Sequence, residues 1–376
     1  MDIPQELIAT IIQEVDDHLS LKMCSLAGKA FCAPAQRMLL TSLDLRVARP
    51  YTAALDLLDK SPHIASYFKR LYCPLPEASM AEAEVDALCT VLGKLSNVRH
   101  CHFVAATNIF TLWTEFLPNV YLAVVEFTQR QRLAELEIDT ITAIPSDVLA
   151  LFLGAAPTVS LVNSNVDSAV TLMHSLAPPP PIVETLRVSW SPGIADVLTS
   201  PDFRPYMHNI RKLWWDPDID TGGRLIALVS HTLEHLCIQF FDQTNWGKTI
   251  KLPPLPRVKS VEVTLEQEWL VPVYYRFLTI LTAAPDTLEE ICITFAPKPD
   301  FLHPEALGQM DSIFTGSAAS PRVRWRLDLK DNPISSFAGF VGALERGLPI
   351  LHAQGKLVVE RSSVTNTGLS AWAGRK

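Results

Sequence analysis

Residues 133–138 read LAELEI, and how these six residues are read decides the fold. Leu133, Leu136 and Ile138 are apolar, and the last three residues alternate apolar, polar, apolar. That is the period of a strand with one buried face. The same spacing, apolar at i, i+3 and i+5, recurs at Phe68/Leu71/Cys73, Val98/Cys101/Phe103, Val183/Leu186/Val188 and Ile210/Leu213/Trp215. It continues at Leu233/Leu236/Ile238, Val258/Val261/Val263 and Leu288/Ile291/Ile293. In a chain that is 48% apolar one match carries no weight, but a train of matches at near-regular intervals of roughly 23–36 residues does.

Segments of helical period lie between the matches, at 82–95, 109–117, 146–156, 167–177, 222–232 and 275–284. Prolines recur just before the strands, as in GAAPTVSLV and LPPLPRVKSVEV, where they stop a helix and extend the chain. Each unit is therefore a short strand and a helix. A unit of that kind cannot bury its apolar edge alone and must stack on its neighbours. The expectation is an α/β array of parallel strands. Side chains flanking the inward positions then share the opposite, solvated face: Tyr72, His100, His102, Glu135, Glu137, Arg187, Lys212, Trp214 and His235. Of these, Tyr72, Arg187, Trp214 and His235 are the candidate contacts for a target protein, with Trp214 the expected anchor and Arg187 beside it. Large aromatics and arginine dominate interface energetics.

The first 45 residues differ in style. IPQELIATIIQEV (3–15) reads as a helix with Leu7, Ile8, Ile11, Ile12 and Val15 on one broad face. A second helix is expected over 19–32. Pro34 is expected in the first turn of a third, which runs into the strand SLDL (42–45). Three short helices make a small core. A partner covering the remaining apolar face would stabilise it.

This opening resembles an F-box. Ile3-Pro4 stands where that family has Leu-Pro, Glu6-Leu7 as Glu-Leu, Ile11-Ile12 as its Ile-Leu pair and Val15 as its closing leucine. CSLAGKAF matches a Cys-x-Leu-Val-x-Arg-x-Trp pattern, with Ala27 for Val and Phe31 for Trp. The train of strands resembles leucine-rich repeats, L-x-x-L-x-L, without the usual Asn or Cys three residues on; Ile141, Ser191, Asp218, Phe241, Glu266 and Ala296 stand there. The resemblance implies an α/β chain with a three-helix F-box over 1–45. An irregular leucine-rich-repeat horseshoe over 46–376 would follow, strands concave and helices convex. It also implies a non-enzymatic substrate receptor of a cullin–RING ubiquitin ligase. Its Skp-type adaptor would be met by Ile3, Pro4, Leu7, Ile8, Ile11, Leu26 and Phe31. The alternative is a leucine-rich-repeat scaffold that binds a partner but recruits no ligase.

Other classes find little support. Net charge is −8 without a basic cluster, which argues against nucleic acid. No apolar run is long enough to cross a membrane, and Asp2 and Glu6 oppose a signal peptide. Seven cysteines without paired spacing read as reduced thiols, in cytosol or nucleus. HTLEH (231–235) has zinc-peptidase spacing but sits at a strand entrance, where two histidines cannot share a helical face. GKT (247–249) lacks the glycine at 242 that a phosphate loop needs, and the acidic turn from Asp216 lacks the glycine and glutamate of a calcium loop. His100 and His102 make half a metal site with no third ligand identifiable. No catalytic constellation, cofactor motif or metal centre is expected.

Overall fold

The structure, a computed structural model, describes residues 4–46, 50–76, 79–106, 110–167, 180–191, 193–215, 222–240, 252–265, 286–295, 304–327 and 334–361. It is an α/β protein built on parallel strands with connecting helices. The chain forms two compact units, Met1–Val183 and Glu184–Lys376.

The first unit opens with α1 (Gln5–Gln13), α2 (His18–Ala27) and α3 (Lys29–Leu39). Ile8, Ile12, Leu21 and Ala35 form their core, with Val15, Cys24, Phe31 and Leu39 packed against it. Asp17 caps α2 by accepting from the Ser20 N–H at 2.6 Å. The single helix expected over 19–32 is broken at Gly28, whose extended backbone ends α2 and starts α3. Pro34 consequently lies inside α3 and not in its first turn. A proline there has no N–H for the carbonyl four residues back. That carbonyl belongs to Ala30, and the Gln5 side-chain amide donates to it at 2.8 Å. Helix α1 is thus tied to the defect in α3.

The main strands of this unit are β1 (Ser42–Asp44), β2 (Arg70–Leu75), β3 (His100–Ala105), β4 (Glu135–Asp139) and β5 (Thr158–Val162), each parallel to the one before it. The boundary expected between 45 and 46 falls inside this unit, where β1 pairs with β2. Connections carry α4 (Tyr51–Lys60), α5 (Glu82–Lys94), α6 (Pro118–Arg130) and α7 (Ser146–Leu153). The helix expected over 109–117 is a two-residue strand at Thr111–Leu112 and one 3₁₀ turn at Trp113–Glu115. Pro118, suited to a first helical position, begins α6 instead.

The second unit continues with β6 (Thr185–Ser189), β7 (Lys212–Trp215), β8 (His235–Phe240), β9 (Ser260–Leu265), β10 (Glu290–Phe295), β11 (Arg322–Leu327) and β12 (Leu357–Arg361). These too are parallel, each paired to the preceding one. Its longer helices are α8 (Gly222–Val229), α9 (Pro304–Gly316) and α10 (Ile334–Gly347). The buried Asp311 carboxylate of α9 accepts from the N–H groups of Ile350 and Leu351 at 2.8 and 2.9 Å, satisfying the start of the following helix, Pro349–Ala353. The helix expected over 275–284, and all but the first residue of that over 167–177, lie outside the described residues.

Every side chain of the apolar triads is buried, at 5% exposure or less. The strand phase read from the sequence is therefore the one observed. At the strand exits the chain turns through left-handed backbone at Thr140, Asn163 and Trp190. Where the repeat resemblance lacks its asparagine, buried serines serve the backbone: Ser164 donates to Val162 O and Ser191 to Ser189 O, both at 2.8 Å. Among the described residues no helix is long and apolar enough to cross a membrane.

Candidate functional site

Three surfaces bring chemistry-bearing side chains together. The first is on the opening helices. Leu7 and Ile11, one turn apart on α1, are 54% and 52% exposed. Leu26 on α2 is 81% exposed, and Leu19 and Met23, which the sequence reading passed over, share its stripe at 67% and 63%. Pro4 is exposed at the start of α1, and Phe31 is half-buried against the helical core. Ile8 faces inward at 4% exposure, so its contacts are with its own module and not with an outside surface. Ile3 lies outside the described residues.

The second surface is the strand face of the second unit. Register aligns Arg187, Trp214, Cys237, Glu262, Cys292 and Arg324 in one row across six strands. Trp214 is half-buried with Arg187 5.2 Å and Lys212 5.0 Å from its ring centre, while Trp215 points into the core at 4%. The Trp214 ring is thus already engaged by two cations of its own sheet. His235, one row back, bonds Ser260 Oγ at 2.6 Å, and burial, with Lys212 nearby, holds its pKa below the usual histidine value. Further along, Arg324 bridges Glu290 and Glu360, both at 3.1 Å, and Arg326 reaches Glu360 at 2.7 Å and Glu262 at 3.4 Å. These ion pairs interlock this row with the rows on either side of it.

The third surface is the strand face of the first unit. Asp44, Tyr72, His102, Glu137 and Ser160 form one row from β1 to β5. Arg46 grips Asp44 through both carboxylate oxygens and lies 3.8 Å from the Tyr72 ring centre. Burial raises the Asp44 pKa, but the Arg46 hydrogen bonds outweigh it and leave the carboxyl below its ordinary value. The Tyr72 ring meets His102 edge-on at 4.4 Å. His102 was expected in solvent; under these neighbours its side chain is only 8% exposed. Burial, reinforced by the Arg46 charge and opposed by Asp44, depresses its pKa to about 3. The imidazole is neutral at physiological pH. Facing it are Glu137 and Asp139, and burial raises the Asp139 carboxyl against a bond donated by Asn163.

His231 of the HTLEH stretch lies in a turn and His235 opens β8, so the two histidines share no helix. GKT and residues 216–221 lie outside the described residues. In comparisons with known proteins, no family model matches the chain and no curated protein matches it.

Proposed function

We propose that the chain is the substrate-recognition subunit of an SCF-type cullin–RING ubiquitin ligase. In this reading residues 1–45 are an F-box that docks a Skp-type adaptor, and the strand–helix units are leucine-rich repeats that hold a target protein. One observation carries it: the exposed apolar stripes of Leu7 and Ile11 on α1 and of Leu19, Met23 and Leu26 on α2. Each such side chain contributes roughly 1.5–3 kcal/mol when fully buried, so a helical module with a four-residue core gains much from a partner. Exposed apolar surface of this kind marks an interaction site. The chain itself performs no chemistry in this reading; it raises the target's effective concentration beside ubiquitin delivered by partner subunits.

The test is capture of a purified Skp-type adaptor by the full chain. Micromolar or tighter binding is expected, abolished by Leu7→Asp with Ile11→Asp, which would bury unpaired charge. Trp214→Ala should leave adaptor capture unchanged and weaken retention of the target. Failure of the unaltered chain to bind adaptor at micromolar concentration removes the ligase role and leaves a repeat scaffold.

A further inference from the structure

Two His–carboxylate arrangements stand on adjacent rows of the first unit's strand face, and they differ. In one, His100 Nδ1 lies 3.2 Å from Glu135 Oε2, with the two side chains 44% and 46% exposed. That is an ordinary solvated hydrogen bond. In the other, His102 Nε2 lies 3.6 Å from Glu137 Oε1 and 3.8 Å from Asp139 Oδ2, and the side chains are 8%, 12% and 24% exposed. These separations exceed hydrogen-bond length although the groups are buried together. One ligand atom from each of the three side chains falls within 4.8 Å of the others.

We propose that His102, Glu137 and Asp139 bind a divalent transition-metal ion of the zinc class. A tetrahedral ion with bonds of about 2.0–2.2 Å separates its ligand atoms by about 3.3–3.6 Å, whereas octahedral geometry would bring them to about 2.8–3.1 Å. The two distances from His102, 3.6 and 3.8 Å, match the tetrahedral edge after a few tenths of an ångström of inward movement, and the two carboxylates lie within 4.8 Å of each other. One imidazole and two carboxylates form a donor set that zinc accepts readily and magnesium or calcium, which prefer all-oxygen sites, does not. Two carboxylates and a divalent cation also sum to zero charge, which offsets the cost of holding two acids close together on a largely buried face.

The surroundings are built to orient these ligands. Asn163 Nδ2 donates to Asp139 Oδ1 at 3.2 Å, leaving Oδ2 toward His102. Tyr72 flanks the imidazole. A second observation comes from Ser160, in register with Glu137 on the same face: its Oγ is fully buried and has no hydrogen-bond partner among the described residues. With three protein ligands, a fourth position would remain for water or another small donor. This inference is independent of the proposed adaptor and target.

The test uses the full chain, stripped with chelator and dialysed against Zn²⁺. One tightly held Zn²⁺ per chain is expected, with weaker binding of Mg²⁺. Co²⁺ in its place should give tetrahedral visible absorption without a thiolate charge-transfer band, which excludes the cysteines as ligands. Glu137→Gln with Asp139→Asn should weaken Zn²⁺ binding about 100-fold or more, beyond the 10–100-fold typical of losing an outer-shell partner. Should that pair not fold, Asp139→Asn alone, at the more exposed ligand, should still weaken it about 10-fold or more. The proposal is overturned if the unaltered chain retains no Zn²⁺ at micromolar concentration, if Mg²⁺ is preferred, if Co²⁺ shows thiolate bands, or if the substitutions leave Zn²⁺ binding unchanged.

Discussion

The hydrogen bond from Gln5 to Ala30 shows how one residue's defect is repaired by another 29 positions away from Pro34 in sequence. Because the Ala30 carbonyl is free only when position 34 lacks an N–H, the two positions must be coupled. Gln5→Ala should cost about 0.5–1.5 kcal/mol in the native background, the usual net worth of such a bond. In a Pro34→Ala background, where the new N–H takes the carbonyl, the same change should be nearly neutral. A double-mutant cycle by urea denaturation measures the difference, and equal costs in both backgrounds would refute the coupling. Thiols supply a second residue-scale outcome. Burial raises the Cys73, Cys101 and Cys237 thiols far above their ordinary value and takes Cys292 up to about 12. All four stay protonated at pH 8 and should resist iodoacetamide, while the half-buried Cys24 and Cys32 react first. Alkylation of Cys101 as fast as Cys24 in the native protein would contradict the strand packing.

At the scale of elements, what the sequence made legible follows its periodicity. The triads were readable because each strand buries one face fully, so Leu186, Leu213, Leu236, Val261 and Ile291 repeat one pattern at near-regular intervals. The opening helices were misdrawn at Gly28 and Pro34, where backbone chemistry overrides an apolar pattern that continues across the break. The His102 cluster could not be read at all. His102 was visible and Glu137 was placed on the right face, but only register puts them side by side, and the 34 intervening residues give no clue to it. Helix packing in the second unit offers a prediction of unexpected sign. Alanine is normally favoured over glycine within a helix by up to about 1 kcal/mol, and Gly347 is the last residue of α10. A Cβ at Gly347 of α10, however, would sit 2.8 Å from Leu307 Cβ of α9. Gly347→Ala should therefore lower the thermal midpoint, and in a Leu307→Gly background, where that Cβ is gone, the added loss should disappear; a rise with Gly347→Ala alone would show that the helices move apart freely.

On the scale of the molecule, each unit is a stack in which, among the described residues, each main strand is laddered to its immediate predecessor and successor. Stability in such a stack is approximately a sum of local and nearest-neighbour terms. Leu236→Ala, at a fully buried position, should cost about 2–5 kcal/mol. Hydrogen exchange should report that loss first in β8 and in its ladder partners Lys212–Trp215 and Ser260–Leu265. Uniform loss of protection throughout the unit would mean a single cooperative block instead.

The strictly sequential ladder order also bears on how the protein is made. Leu213 pairs with Leu236, 23 residues on, and Val261 with Ile291, 30 residues on, so each of these strands finds its edge on a recently synthesised segment. A nascent chain can therefore add each strand to a template that has already left the ribosome. Nothing within a unit has to wait for its last strand before its first ladder closes, which shortens the time any apolar edge stands uncovered during translation.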